Sequence, residues 1–381
     1  MDRGPQSKPP QPPFTAFPSL SNSPSSCRFT LESVPYPSHR RPVQKPWGEL
    51  RIIDRIRART EPSNRVRLGI GDDCAILKPP PHHELLVTTD FSLEDRHFRR
   101  AWHTPASIGH RTLARGLSDL AAMGANPLAA FLSLALPKSI ARTPVFLDGF
   151  LDGLLALAAA HNVPLAGGDT AQSPTDLILA DIILTGSAPT GRALRRSTAS
   201  PGDLLYVTGA LGGAAAELAA LSKRRKPSRP TSPSLTTTHY SLPTASPHLF
   251  PQPRLAVGQT LLRRRLATAC IDVSDGLSTD LAHLCTASNV SAELDLAALP
   301  LHPLAAALDD RAQITALLHG GEDYELLFTA APTTKIPRSI ANVPITQIGR
   351  ILAARKNRPQ MSILTGTERF ELQPHGWEHF A

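Results

Sequence analysis

Long hydrophobic runs are missing from this 381-residue sequence. The most apolar stretch, Phe146 to Ala160, is interrupted by Asp148 and Asp152 and falls short of the roughly 18 to 20 apolar residues of a membrane-spanning helix. A soluble protein with no membrane partner is expected. Cysteine is scarce: Cys27, Cys74, Cys270 and Cys285 show no CxxC spacing, which argues against a zinc site or a disulfide framework and suits a cytoplasmic location. The opening MDRGPQSKPPQPP has no apolar segment and is not read as a secretory signal. The usual nucleotide motifs are lacking too. Neither GxxxxGKS/T nor GxGxxG after a strand occurs, which excludes a P-loop or a protein-kinase-like site.

What is abundant is proline, 37 residues, and positive charge, with 40 Lys plus Arg against 32 Asp plus Glu and a formal net charge of +8. Such a balance first suggests nucleic acid or an anionic membrane as a partner. Its distribution points elsewhere. Residues 1 to 46 hold six basic and two acidic side chains with eleven prolines, and residues 222 to 247 hold five basic side chains, no acid and five prolines. The other 309 residues carry 29 basic and 30 acidic side chains, so the folding part is almost neutral. Both Pro-rich segments bury too little apolar surface to offset ordering entropy and are expected to be disordered. They lack the interleaved aromatics of a single-strand-binding surface, and no nucleic-acid partner is expected.

Order is expected from Trp47, where Leu50, Ile52, Ile53 and Ile56 share one side of a short helix. Residues 105 to 124 have Pro105 at a first helical position, Gly124 as a stop, and Leu113, Leu117 and Leu120 as a buried stripe, leaving Asp119 on the neighbouring face. Strands are expected at 85 to 90, 128 to 136, 163 to 166 and 177 to 185, the last two separated by GGDTAQSP as a loop, with a helix at about 144 to 161. Beyond GRALRRS come the strand LLYVTG, helices at 210 to 221 and about 254 to 266, ACIDVSDGL as strand, acidic turn and helix, and later strands. Strands and helices interleave without strict βαβ repetition, which predicts a mixed α/β (α+β) protein of two domains. The expected division is 47–188 and 189–381.

The chemistry sits in acids that end apolar strands or lie in glycine turns: Asp72 and Asp73 in GIGDD, Asp90 in VTTD, Asp119 in LSDLAAMG, Asp169 in AGGDT, Asp272 and Asp275 in IDVSDG, and Glu322 and Asp323 in GGEDYE. Any one of them alone reads equally well as a helix cap or an Asx turn. Clustered, they would repel one another and would not all stay ionised without a cation. Mg2+ suits hard oxygen donors and is completed by water and substrate phosphates. The pattern therefore predicts metal-assisted phosphate chemistry. The turn in YVTGALGG offers backbone N–H groups to a phosphate. Arg195 and Arg196 offer a bidentate grip, although two arginines in a polar loop are more often simply solvated.

In order along the chain, GIGDDCAIL, VTTDFSLEDRHF, LARGLSDLAAMGANP, AGGDT, GRALRRS, YVTGALGGAAAEL, IDVSDGLSTDLAHL, GGEDYEL and HGWEHF closely resemble the thiamine-monophosphate kinase family, within the aminoimidazole ribonucleotide synthetase-like superfamily. The resemblance runs from about Trp47 to Phe380, interrupted at the Pro-rich segment. It implies that superfamily's two-domain fold, a homodimer formed through the N-terminal domain, and Mg2+-dependent transfer of the ATP γ-phosphoryl group to thiamine monophosphate. That reaction is the last step of thiamine diphosphate biosynthesis and runs in line without a phosphoenzyme. Carried over, Asp73, Thr89, Asp90, Asp119, Asp169, Asp272 and Asp275 look like metal ligands, with Asp73, Asp90, Asp119 and Asp272 as the catalytic core. Gly168, Arg196 and Ser274 look like nucleotide contacts. His97, Glu322 and Trp377 look like substrate contacts, where Trp377 would stack on a flat cationic ring and Glu322 would accept from an aminopyrimidine or offset a thiazolium. Without the resemblance these three read as a surface residue, a solvated loop acid and a docking anchor. Two alternatives stay open: another kinase or synthetase of the superfamily, and a basic nucleic-acid-binding or scaffold protein.

Overall fold

The computed structural model describes residues 49–61, 63–70, 74–223, 246–356 and 360–377. Residues 1–46, Asp72, Asp73 and most of 222–247 lie outside the described residues, as do the expectations placed on them. The first half runs α1 (Glu49–Arg57), β1 (Val66–Leu68), β2 (Ile76–Leu77), β3 (His83–Leu93), α2 (Pro105–Ala122), β4 (Asn126–Leu136), α3 (Val145–Ala160), β5 (Leu165–Gln172) and β6 (Leu179–Pro189). The second runs β7 (Leu204–Thr208), α4 (Gly213–Lys223), α5 (Leu255–Arg263), β8 (Ala269–Val273), α6 (Leu277–Ser288), β9 (Val290–Asp295), α7 (Pro303–Ala306), α8 (Asp310–His319), β10 (Glu325–Ala330), β11 (Ser339–Ile340), β12 (Val343–Ala353), β13 (Met361–Thr365) and β14 (Glu368–Glu371).

Two main sheets result. The small one has the order β3-β6-β4-β5 and the large one β14-β13-β9-β12-β7-β10-β8, with β11 beside β12. Among the strand pairs of the described residues only β4–β5 and β13–β9 are parallel. Strand β10, one in from the edge strand β8, is buried along its whole length. Its alternate residues Leu326 and Phe328 join one core with α2 and α3, while Leu327 joins a second core with α6, as expected of a strand covered on both faces.

Helix α2 ties the sheets together. Thr104 caps it, its side chain accepting from the Ser107 N–H, and Pro105 opens the first turn. It packs on α3, β3 and β6 of the first half and on α5, β8 and β10 of the second. The expected stripe of Leu113, Leu117 and Leu120 is fully buried, but so are Ser107, His110, Arg111 and Ser118. Polar groups buried on a central helix need partners, and their partners lead to the site.

The stretch read as a GGDTAQSP loop is instead largely strand: Gly167 to Gln172 pair in parallel with Phe131 to Leu136. Gly168 takes φ +147° where a Cβ would lie 1.9 Å from the Leu132 carbonyl oxygen. Glycine here lets two backbones approach rather than making a turn.

Candidate active site

A cleft of about 950 Å3 is lined by residues from both halves of the chain. Its lining includes Asp90 from β3, Asp119 from the last turn of α2 and Asp272 near the end of β8. Alternation along β3 sends Thr88 and Asp90 toward α2. The Thr88 hydroxyl donates to Asp119, and Arg115, one helical turn before Asp119, donates to Asp90 at 3.0 Å. The Ser118 hydroxyl donates to Asp272 at 2.7 Å.

Burial, then the Asp272 and Asp90 charges, push the Asp119 carboxyl well above the ordinary carboxylate range. Burial and the Asp90 charge do the same to Asp272, against the Ser118 hydrogen bond and the nearby Arg196. Among the described residues no three His, Cys, Asp or Glu side chains form a closed metal cage. Buried carboxylates that repel one another are nevertheless the donor chemistry of Mg2+, which commonly takes one or two protein carboxylates and completes its shell with water and substrate phosphates. The residues present fit that ion.

The adjoining part of the cleft, joined to Asp90 through Arg115, is built by the lead-in to β10 and by the C-terminal segment. Glu322 and Tyr324 both adopt left-handed backbone, φ +68° and +51°, a costly state for non-glycine residues that surrounding contacts must hold. The result keeps Glu322 and Tyr324 on the Arg115 side and turns Asp323 away from them. Glu322 reaches Arg111 at 2.6 Å and His248 Nδ1 at 3.0 Å, and Tyr324 accepts from Arg115 at 3.1 Å. Asp323 turns to α4, accepting from the N–H groups of Gly212 at 2.6 Å and Ala214 at 3.1 Å. This overturns the reading of that glycine turn as a phosphate cradle: Asp323, whose carboxyl burial raises to about 7, already uses its N–H donors. Burial opposes ionisation of Glu322, but Arg111 beside it, with His248 and Arg115, holds its carboxyl far below the usual range.

The acidic turn after β8 is folded around Asp280, which accepts from the N–H groups of Ser274, Asp275 and Gly276 at 3.0, 3.0 and 3.1 Å. The C-terminal segment docks on this turn. Gly376 N–H donates to Thr279 Oγ1 at 2.9 Å and Trp377 N–H to the Asp275 carbonyl at 3.0 Å, which sets the half-exposed Trp377 in the cleft wall.

The cleft thus gathers Thr89, Asp90, His97, Asp119, Asp272, Ser274, Asp275, Glu322 and Trp377. Thr89, however, points to the opposite face of β3, where it donates to Asp181 at 2.8 Å. Gly168 and Asp169 line a separate cleft of about 550 Å3 beside Phe131 and Cys74. Arg196 lies exposed outside both linings, near enough to favour the Asp272 charge. Asp73 is outside the described residues. Arg111, Arg115, His248 and Asp280 escaped the reading of the sequence. The first two sit inside a helical stripe pattern and His248 in a proline-rich context, with no local signal, whereas Asp280 follows the acidic turn at a distance where a carboxylate folds back on the backbone.

Residues 71–188 match the model of the N-terminal domain of AIR synthase related proteins, and residues 200–361 match that of their C-terminal domain. Fold and site together make this an AIR synthase related protein. The chain is 41% identical over 312 residues to the thiamine-monophosphate kinase of Salmonella typhimurium, covering 80% of this chain and 91% of that protein, and it belongs to the thiamine-monophosphate kinase family. The crystal structure of the Stenotrophomonas maltophilia thiamine-monophosphate kinase superposes with a TM-score of 0.67 at 37% identity, covering 80% of this chain and 94% of the other. AaThiL complexed with AMPPCP and TMP superposes with a TM-score of 0.65 at 26% identity, covering 80% and 89%.

Proposed function

We infer that the chain transfers the γ-phosphoryl group of ATP to the phosphate of thiamine monophosphate, giving thiamine diphosphate and ADP. One observation carries this beyond family membership: a single cleft holds the Asp90, Asp119 and Asp272 cluster together with Glu322 and Trp377. A relative with both a nucleotide analogue and TMP bound has the same fold. The attacking group is a phosphate monoester oxygen, dianionic near neutral pH because its second pKa is about 6, so no side chain needs to remove a proton. A bond forms from that oxygen to the γ-phosphorus as the bond to the β-bridging oxygen breaks. The obstacle is repulsion between two polyanions, and the task is positioning and charge neutralisation.

Asp90, Asp119 and Asp272 would hold Mg2+, with Asp275 of the same cleft and Asp73 as further candidate ligands, whereas the Thr89 side chain faces Asp181 and Asp169 lines the separate cleft. Bound there, the ion supplies Lewis-acid neutralisation of phosphate oxygens. Arg115 orients Asp90, and Ser118 orients Asp272. Ser274 of this cleft is assigned to the nucleotide, as are Gly168 in the separate cleft and the exposed Arg196. Trp377 presents an indole face to the cationic ring system of the acceptor, Glu322 an anionic carboxylate, and His97 lines the same wall.

Leu85, Val87 and Phe91 project from the outer face of β3 and are more than half exposed. Such an apolar strip on a sheet face supports a homodimer formed through this surface. The two sheets support the division into domains at 47–188 and 189–381. No helix among the described residues is long and apolar enough to cross a membrane, and the scarcity of cysteine supports the cytoplasm. Incubating the purified protein and Mg-ATP with a panel of phosphorylated metabolites tests the assignment. Thiamine monophosphate should be the substrate consumed; preference for another metabolite would move the chain to a different branch of the superfamily.

A further inference from the structure

We propose that His248 and His103 are positioning residues for thiamine-monophosphate binding, fixing from behind the direction in which the Glu322 carboxylate faces the cleft. The proposal rests on the function inferred above. His248 rides on a strap, residues 246–251, that follows the Pro-rich segment. Glu217 of α4 holds one end, accepting from the Ser246 hydroxyl and from the His248 N–H at 2.7 Å. The other end is held where the Pro251 carbonyl accepts from His110 Nε2 at 2.7 Å. His103 and His248 are both buried, their Nε2 atoms 3.2 Å apart and their rings edge to face.

One proton pattern satisfies the contacts between the two rings and Glu322, at the expense of the 3.1 Å approach of His103 Nδ1 to the Arg99 carbonyl. An ionised Glu322 has no proton to give, so His248 Nδ1 donates to it at 3.0 Å. Neutral His248 is then an acceptor at Nε2, and the hydrogen between the rings belongs to His103 Nε2. His103 Nδ1 is left to accept, and the Arg99 N–H donates to it at 3.2 Å. Arg111 Nη1, 3.3 Å from His248 Nδ1, has the His248 carbonyl as its acceptor. Burial and the Arg111 charge keep both imidazoles neutral, His103 with its pKa lowered to about 3.

The relay matters because Glu322 is held on both sides. Arg111 binds Oε1 and His248 binds Oε2, while Arg115 waits 3.6 Å from Oε1. Removing the His248 donor frees the carboxylate to rotate toward Arg115 and away from the acceptor substrate.

Steady-state kinetics on three variants of the full chain test this. His248→Gln keeps bulk and a partner for His103 but loses the donor toward Glu322, and its KM for thiamine monophosphate should rise about tenfold, the effect of losing a hydrogen bond to a charged group. His248→Asn, with an N–H where Nδ1 stood, and His103→Gln, which keeps the Nε2 donor, should stay within about threefold. The KM for ATP should be unchanged in all three. Equal KM values for thiamine monophosphate in the Gln and Asn variants would overturn the proposal. So would a parallel rise in both KM values with a lowered melting temperature, which marks a structural role. If the unsubstituted protein makes no thiamine diphosphate at all, the inferred function falls first and takes this proposal with it.

Discussion

Gly376 is the tightest contact of the C-terminal segment. A Cβ there would lie 2.0 Å from the Asp275 carbonyl oxygen and 2.5 Å from Thr279 Oγ1, where ordinary contact begins at 3.4 Å. Gly376→Ala therefore has to lift the segment by about 1 Å or more. The lift breaks the hydrogen bonds from Gly376 to Thr279 and from Trp377 to Asp275, each contributing about 1 kcal/mol net. The Trp377 ring is then no longer held in the cleft wall. Stacking of an indole on a cationic ring contributes about 0.5 to 2 kcal/mol, so the KM for thiamine monophosphate should rise roughly 2- to 30-fold. The KM for ATP should rise less, because the segment touches the acidic cluster only through the Asp275 carbonyl. The melting temperature should fall by only a few degrees, the effect of about 2 kcal/mol, since Trp377 is 48% exposed. Two-substrate kinetics and a melting curve are sufficient. If Gly376→Ala leaves the KM for thiamine monophosphate unchanged while Trp377→Ala raises it, the glycine contact does not set the tryptophan and the reasoning fails.

Val87, 67% exposed on the outer face of β3, should be covered in a dimer: Val87→Asp is expected to elute as a monomer in size-exclusion chromatography, and an unchanged oligomer would exclude that face. Burial lowers the His110 pKa from 6.5 to about 4. The unfolded chain therefore takes up that proton before the folded one does, and this site loses stability as pH falls. Relative to His110→Gln, the unsubstituted protein should lose about 2 kcal/mol between about pH 7 and pH 5; denaturant titrations showing a pH-independent difference would contradict this. Protons compete with a cation for Asp119 and Asp272. Mg2+ should therefore raise the melting temperature more at about pH 8 than at about pH 5.5, and equal shifts would remove these two as ligands.

Much of the fold was legible because period and punctuation agreed. The helix expected at 105 to 124 is α2 at Pro105–Ala122, and the helix expected at about 144 to 161 is α3 at Val145–Ala160. GGDT misled because glycines read locally as a turn, while the parallel ladder with β4 is set by chain distant in sequence. Of the acids, Asp90, Asp119 and Asp272 are drawn together, although Asp90 lies within β3, which continues to Leu93, and not at the strand end expected at residue 90. Asp323, next to Glu322 in the same motif, is turned away by alternating left-handed backbone and caps α4. No linear pattern separates two neighbouring carboxylates that the backbone sends in opposite directions. Arg111, Arg115 and His248 were illegible for a related reason: their meaning is the charge each meets across the fold, and that depends on which elements α2 joins.

The central claim is that one cleft passes a phosphoryl group from ATP to thiamine monophosphate. The most direct test follows ADP and thiamine diphosphate together in one reaction of the purified chain with Mg-ATP and thiamine monophosphate. Equal amounts of the two products, formed only with the divalent ion present, are predicted. ADP appearing with inorganic phosphate and no thiamine diphosphate would contradict the account.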